Sequence, residues 1–146
     1  MLKKLENDVE LLSDAAKAFA ESLDLEATLE LILNSLETHL NLQRGTIALL
    51  NPETETIDIR VAHGMSKESK RLGIYNVGEG VTGQVVQTGR ELVVPDIGKD
   101  PRFLGKTNSR PITKGQRITF FSVPIKLEGL TIGALNADAV NISTEQ

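Results

Sequence analysis

Residues 75–103 are YNVGEGVTGQVVQTGRELVVPDIGKDPRF, the stretch richest in structural punctuation. It opens with a few residues of strand character and runs into Gly78-Glu79-Gly80. Glycines admit positive φ and let the backbone come close to another surface. Residues 81–88 then predict a short helix, with Gly89 where a helix C-terminus favours glycine. Residues 92–95 form a brief apolar strand, and 96–103 a polar loop holding Pro101. A short strand, a glycine turn, a short helix and a loop make a poor core. They make a good rim for a pocket.

Working outward toward the N-terminus, His63-Gly64 leaves a strand predicted at 56–63, and residues 66–72 are polar enough for a surface helix or loop. A first strand is expected at 45–50. The cluster Asn51-Pro52-Glu53-Thr54-Glu55 between the two predicts a hairpin. Alternation puts Ile57, Ile59 and Val61 on one face and Asp58, Arg60 and Ala62 on the other. Before them, Asp24 is expected to cap a helix over 25–40, whose Leu25, Leu29, Ile32, Leu33, Leu36 and Leu40 form one wide stripe for a sheet. Leu2, Leu5, Val9, Leu12, Ala16, Phe19 and Leu23 repeat at spacings of three and four. Such a stripe fits a helix lying on its own domain, or one that pairs with its counterpart in a homodimer.

Toward the C-terminus, residues 106–117 carry Gly, Pro, Asn, Ser and basic residues without periodicity. They predict a flap with one helical turn around 113–116. Two long strands, 118–127 and 130–139, are joined by Glu128-Gly129 as a two-residue hairpin turn. Pro124 in the first of them calls for an edge or a bulge there. Ser143 or Thr144 followed by Glu145-Gln146 reads as the start of a further helix, so the sequence is expected to be a piece of a longer protein. The expected organisation is an amphipathic helix at 1–23, one domain at 24–142 and a helix start at 143–146. Hairpins preceded by helices, with one short crossover, indicate an α+β fold. Five or six antiparallel strands would carry two helices on one face and the excursion at 75–117 on the other.

The 146 residues suit one domain, and 40% hydrophobic with 25% charged residues are ordinary for a globular chain. There is no Cys, which removes thiol nucleophiles, thiolate-bound metals and thioether-linked chromophores. A net charge of −4 offers no basic footprint for nucleic acid. No apolar run approaches the ~20 residues needed to span a bilayer, and the N-terminus lacks a signal-peptide pattern. The expected location is the cytoplasm.

Gly78-Glu79-Gly80-Val81-Thr82-Gly83 has the letters of a dinucleotide fingerprint, but no βαβ unit surrounds it. Ser122, Thr82 and Asp96 invite a hydrolase reading, yet no G-x-S-x-G and no suitable His accompany them. His39 and His63 sit on different elements, and no metal-ligand spacing appears. No catalytic apparatus is visible, and an enzyme is not expected.

The string GEGVTGQVVQTGRELVVPDIGKDPRF resembles the middle of a GAF domain, the small-ligand sensor module. It is most similar to that of NifA-type bacterial transcription activators. Ala62-His63-Gly64-Met65 and Phe121-Ser122-Val123-Pro124-Ile125 extend the resemblance over roughly 25–139. It implies a cavity between sheet and excursion that holds a small effector, and a downstream output domain outside this chain. The residues expected to line that cavity are Arg60, His63, Tyr75, Val77, Gly83, Asp96, Ile97, Arg102, Phe103, Arg117 and Phe121. Arginines bind carboxylates bidentately, so any of Arg60, Arg71, Arg102, Arg110 and Arg117 reaching inward would favour an acid. Amides around Gly83, Asp96 and Ile97 would add fixed donors, the helix start at Val81 being a natural anion site. The resemblance implies 2-oxoglutarate as one such small anionic metabolite. Two other readings stay open: a GAF domain attached to a phosphotransferase-system enzyme I or a histidine kinase, and a dimerisation module whose cavity is filled by Phe103, Phe120 or Phe121.

Overall fold

A computed structural model describes residues 1–107, 109–110 and 115–142, with the side chains of 18–26 and 142 outside that description. The order of elements is α1 (Leu2–Leu40), β1 (Gln43–Asn51), β2 (Thr56–Ala62), α2 (Lys67–Leu72), β3 (Ile74–Asn76), α3 (Gly80–Thr88), β4 (Leu92–Val94), β5 (Gln116–Leu127) and β6 (Leu130–Ile142). The six strands form one antiparallel sheet in the order β3-β2-β1-β6-β5-β4. The expected α+β class and sheet are therefore found.

Two hairpins hold the sheet in register. Glu128 and Gly129, both at positive φ, turn β5 into β6 with Leu127 opposite Leu130. Residues 52–55 turn β1 into β2, with Asn51 opposite Thr56. Pro124 lies on β5 beyond the reach of β4, which pairs only with 120–122. One side of β5 is thus an edge where the proline sits, as a residue without an N–H requires.

Two expectations change. The helices foreseen at 1–23 and 25–40 are one helix of 39 residues that passes Asp24 without a break. An aspartate inside a helix costs only about half a kcal/mol relative to alanine, and no Gly or Pro stands nearby to end it. The alternation in β2 also fails. Ile47 is opposite Val61 while Ala48 is opposite Ile59, so Arg60 is the extra residue of a bulge. Ile57 and Ile59 face the excursion, whereas Val61 turns to the other side and packs with Leu33 of α1. The helical turn foreseen at 113–116 falls largely outside the described residues, and Gln116 already belongs to β5. The helix start foreseen at 143–146 lies outside them altogether.

The sheet has two differently packed faces. On one, Leu29 and Leu33 of α1 meet Ile47, Leu49 and Val61. Beside this contact, Leu36, Leu40, Phe121, Val123 and Leu135 border an open groove of about 310 Å³. On the other face α3 lays Val81, Val85 and Val86 on Ala48, Ile57, Phe120 and Ala134. Residues 1–17 of α1 stand clear of both faces and are all exposed, Leu5, Val9 and Leu12 included.

Candidate functional site

The excursion takes its path from its glycines. Gly83 is buried with its Cα facing the chain at 76–78, where a Cβ would lie 2.5 Å from the Asn76 carbonyl oxygen. Gly89 ends α3 at φ 69°, its N–H donating to the Val85 carbonyl, as a left-handed cap requires. This close seating of α3 brings Thr82 down onto the sheet.

The sheet supplies the polar floor. Along β6, alternation places Ala134, Asn136 and Asp138 on the excursion face. Asn136 Nδ2 donates to Thr46 Oγ1 on β1 at 3.2 Å and to Thr82 Oγ1 on α3 at 3.3 Å. Among the described residues, Asn136 Oδ1 is buried and has no hydrogen-bond partner, and neither has Ser122 Oγ opposite it on β5. Most buried polar groups are paired, so such orphans mark a place to explain.

Asp138 is the most buried charge, at 0% exposure. Arg110 grips it with two hydrogen bonds, Nε to Oδ2 at 2.6 Å and Nη2 to Oδ1 at 3.0 Å. Arg44 adds a longer contact, Nη1 to Oδ2 at 3.4 Å. The Arg110 guanidinium also lies over the rings of Phe103 and Phe120, 4.8 and 5.4 Å from their centres, and those rings meet edge to face. Stacked aromatics and a bidentate carboxylate suit an arginine that must hold one orientation.

Between these groups is a cavity of about 20 Å³. Thr46, Phe120 and Asn136 line it from the sheet, Thr82 from α3, Tyr75 from β3, and Phe103, Thr107 and Arg110 from the excursion. That is room for about one water. A second tie fastens the loop over it. Lys106 Nζ pairs with Glu79, donates to the Ile74 carbonyl at 2.9 Å and stands 5.1 Å from the centre of the Tyr75 ring. The hydrogen bond from Lys106 is the main reason the Glu79 carboxyl titrates below its ordinary range. Burial raises the Tyr75 phenol above its own, against a lowering influence of Arg110.

Only part of the expected set gathers here. Tyr75 and Phe103 line the cavity, and Ile97 packs on the apolar cluster beside it. The amides of Gly83 and Ile97 are already engaged, donating to the carbonyls of Glu79 and Ile118. Asp96 accepts from the Gly98 amide in a local turn, and Val77 is exposed. His63 turns to α1, its Nδ1 3.5 Å from a Glu37 carboxylate oxygen. Arg60 and Arg117 are exposed on strands, and Arg102 is held by Asp100 two residues away. Phe121 faces the groove on the α1 side, since neighbours on a strand point oppositely. Of the five arginines considered, Arg110 is the one in the site. Thr46, Thr82, Asn136 and Asp138 were not foreseen as site residues. The two polar residues at alternate positions in the apolar strand GALNADAV were the available signal.

The GAF domain family profile matches residues 24–145. The chain is 38% identical over 117 residues to the nitrogen fixation protein AnfA of Azotobacter vinelandii, covering 80% of this chain and 22% of that protein. It is also 38% identical over 122 residues to a Nif-specific regulatory protein of Herbaspirillum seropedicae, covering 84% and 22% respectively. It thus spans about a fifth of the length of these relatives. Among solved structures, the A. aeolicus nlh2 GAF domain in an inactive state aligns at TM-score 0.67 and 28% identity, over 78% of this chain and 67% of that one. The GAF domain of a phosphoenolpyruvate-protein phosphotransferase from Coxiella burnetii aligns at TM-score 0.68, over 82% and 69%, but at 19% identity it speaks for the fold alone. Sheet order, the excursion over one face and the matched span agree: the chain belongs to the GAF domain family.

Proposed function

We propose that this chain is a small-molecule-sensing regulatory domain that controls an output domain by ligand-dependent conformational change. The observation that carries this reading is the enclosed polar site beneath the excursion, where Asn136 keeps an unpaired acceptor and Arg110 is held ready on Asp138. A small anionic effector, of which 2-oxoglutarate is the one first expected, binds there with the loop at 103–107 acting as lid. The domain catalyses nothing and works in the cytoplasm. The name of its Herbaspirillum seropedicae relative, a Nif-specific regulatory protein, supports the same role.

The signal runs by population shift. An effector that binds better to one lid arrangement biases the sheet toward it. Strands β1 and β2 are shared between the site and α1, so the bias reaches the helix through Ile47 and Val61 against Leu33. The exposed Leu5, Val9 and Leu12 then serve as the seam of a homodimer, at the spacing a paired helix uses. A second reading is a ligand-free dimerisation module. The edge-to-face packing of Phe103 on Phe120 and the small cavity favour it.

A thermal-shift screen against 2-oxoglutarate, other oxoacids, amino acids and cyclic nucleotides separates the two. A ligand that binds only the native state raises its melting temperature, by an amount that grows with ligand concentration. A concentration-dependent rise with one compound is the expected result. No shift from any of them at millimolar concentration overturns the sensor in favour of the module.

A further inference from the structure

The donors and acceptors of the site restrict what can occupy it, if it is the effector site on which the sensor reading rests. Asn136 is 4% exposed. Its amide nitrogen serves two threonine hydroxyls, and its Oδ1 lacks a donor. A ligand that brings an N–H or O–H satisfies that oxygen, whereas one that brings another acceptor leaves it unpaired and repelled. Arg110 imposes a second condition. A guanidinium has five N–H donors, and Asp138 takes one on Nε and one on Nη2. Among the described residues, the Nη1 and Nη2 end is left with only a 3.4 Å contact from Nη1 to Thr107 Oγ1. A carboxylate can dock on that end while Asp138 keeps the other edge.

Charge and size narrow the class further. Arg44 and Arg110 share the single carboxylate of Asp138, so one positive charge remains to be balanced. Asn136 and Arg110 border the same cavity of about 20 Å³. One small acid can therefore reach both residues.

We infer that the site takes a carboxylate whose α-carbon carries a hydrogen-bond donor, that is, a 2-hydroxy acid or an amino acid. Arg110 holds the carboxylate and Asn136 Oδ1 accepts from the α-hydroxyl or α-ammonium group. Asn136 is thereby the residue that sets specificity. The 2-oxo acid of the same skeleton, with an acceptor in that position, binds less well. The rest of the skeleton fits only when the Lys106 tie to Glu79 and Ile74 loosens and the lid lifts.

Calorimetric titration of the 146-residue chain with acids that differ only at C2 tests this. One series is lactate, alanine and pyruvate; the other is 2-hydroxyglutarate, glutamate and 2-oxoglutarate. In the series that binds more tightly, the hydroxy or amino member has a dissociation constant about tenfold lower than the oxo member, the effect of one hydrogen bond. Asn136→Leu abolishes the preference, and Arg60→Ala, out on the exposed bulge, keeps it. If Asn136→Leu does not fold, the ranking by the unmodified chain decides alone. An oxo acid that binds as well or better overturns this inference and leaves the sensor standing. Binding by none of the six also overturns it, and the sensor falls with it only if the wider screen is silent too.

Discussion

The two faces of the sheet solve different problems with the same strands. Against α1 the sheet presents Ile47, Leu49 and Val61, and the contact is apolar. Against the excursion it presents Ala48, Ile57, Phe120 and Ala134, but with Thr46, Ser122, Asn136 and Asp138 set among them. Burying that polar group costs stability unless each member is paired. The first face holds the domain together. The second gives up some stability and gains a place where a ligand can be recognised.

Breaking the ion pair on the second face is the largest expected perturbation. Asp138→Ala leaves Arg110 buried without its partner and lowers stability by about 4 kcal/mol. Replacing both, as Arg110→Met with Asp138→Leu, restores most of the loss in chemical denaturation, because only Arg44, with its longer contact, then lacks the carboxylate. A double variant as unstable as Asp138→Ala would mean that the aspartate acts through something other than this pair.

On the first face, Leu33 is 1% exposed, and Leu33→Ala lowers stability by about 3 kcal/mol through lost contacts and a cavity. Its effect on effector affinity, measured well below the melting temperature, is no more than the modest coupling carried by Ile47 and Val61, since none of the site's polar contacts involves it. A large loss of affinity with Leu33→Ala would mean that the two faces act as one unit.

The smallest effect sharpens the comparison at its margin, where Arg102 is a local partner and not a ligand anchor. Its hydrogen bonds hold the Asp100 carboxyl down from 3.8 to about 2. A depressed folded pKa stabilises above the unfolded value and loses that contribution as pH falls, here between about 4 and 2. Carbon-detected titration of Asp100 gives a midpoint near 2, and Arg102→Ala returns it toward 3.8. Glu79, also lowered, loses its tie to Lys106 on the same acid side. A midpoint for Asp100 already near 3.8 in the unmodified chain would leave Arg102 free for another role.

The fold was readable because its strongest signals are local. Glu128-Gly129 needs only two positive φ angles to make a hairpin, and Gly89 only one to end a helix. The errors arose where no local signal exists. Arg60 looks like any other strand residue, yet its bulge sends Val61 to the face opposite Ile59. Asp24 looks like a cap, yet the helix passes through it. The site was partly visible as Asn136 and Asp138 at alternate positions on β6. Choosing Arg110 over Arg60, Arg102 and Arg117 required the contact with Asp138, 28 residues away, and composition carries no such distance.

Side-chain nuclear magnetic resonance, following Asn136 Nδ2 and the Nε groups of all arginines during titration with lactate and with glutamate, shows whether the polar face receives a ligand. Asn136 and Arg110 are expected to shift together and saturably with at least one of the two acids, while Arg60, Arg102 and Arg117 stay where they are. Shifts confined to those three exposed arginines, or no shift at either Asn136 or Arg110, would contradict it.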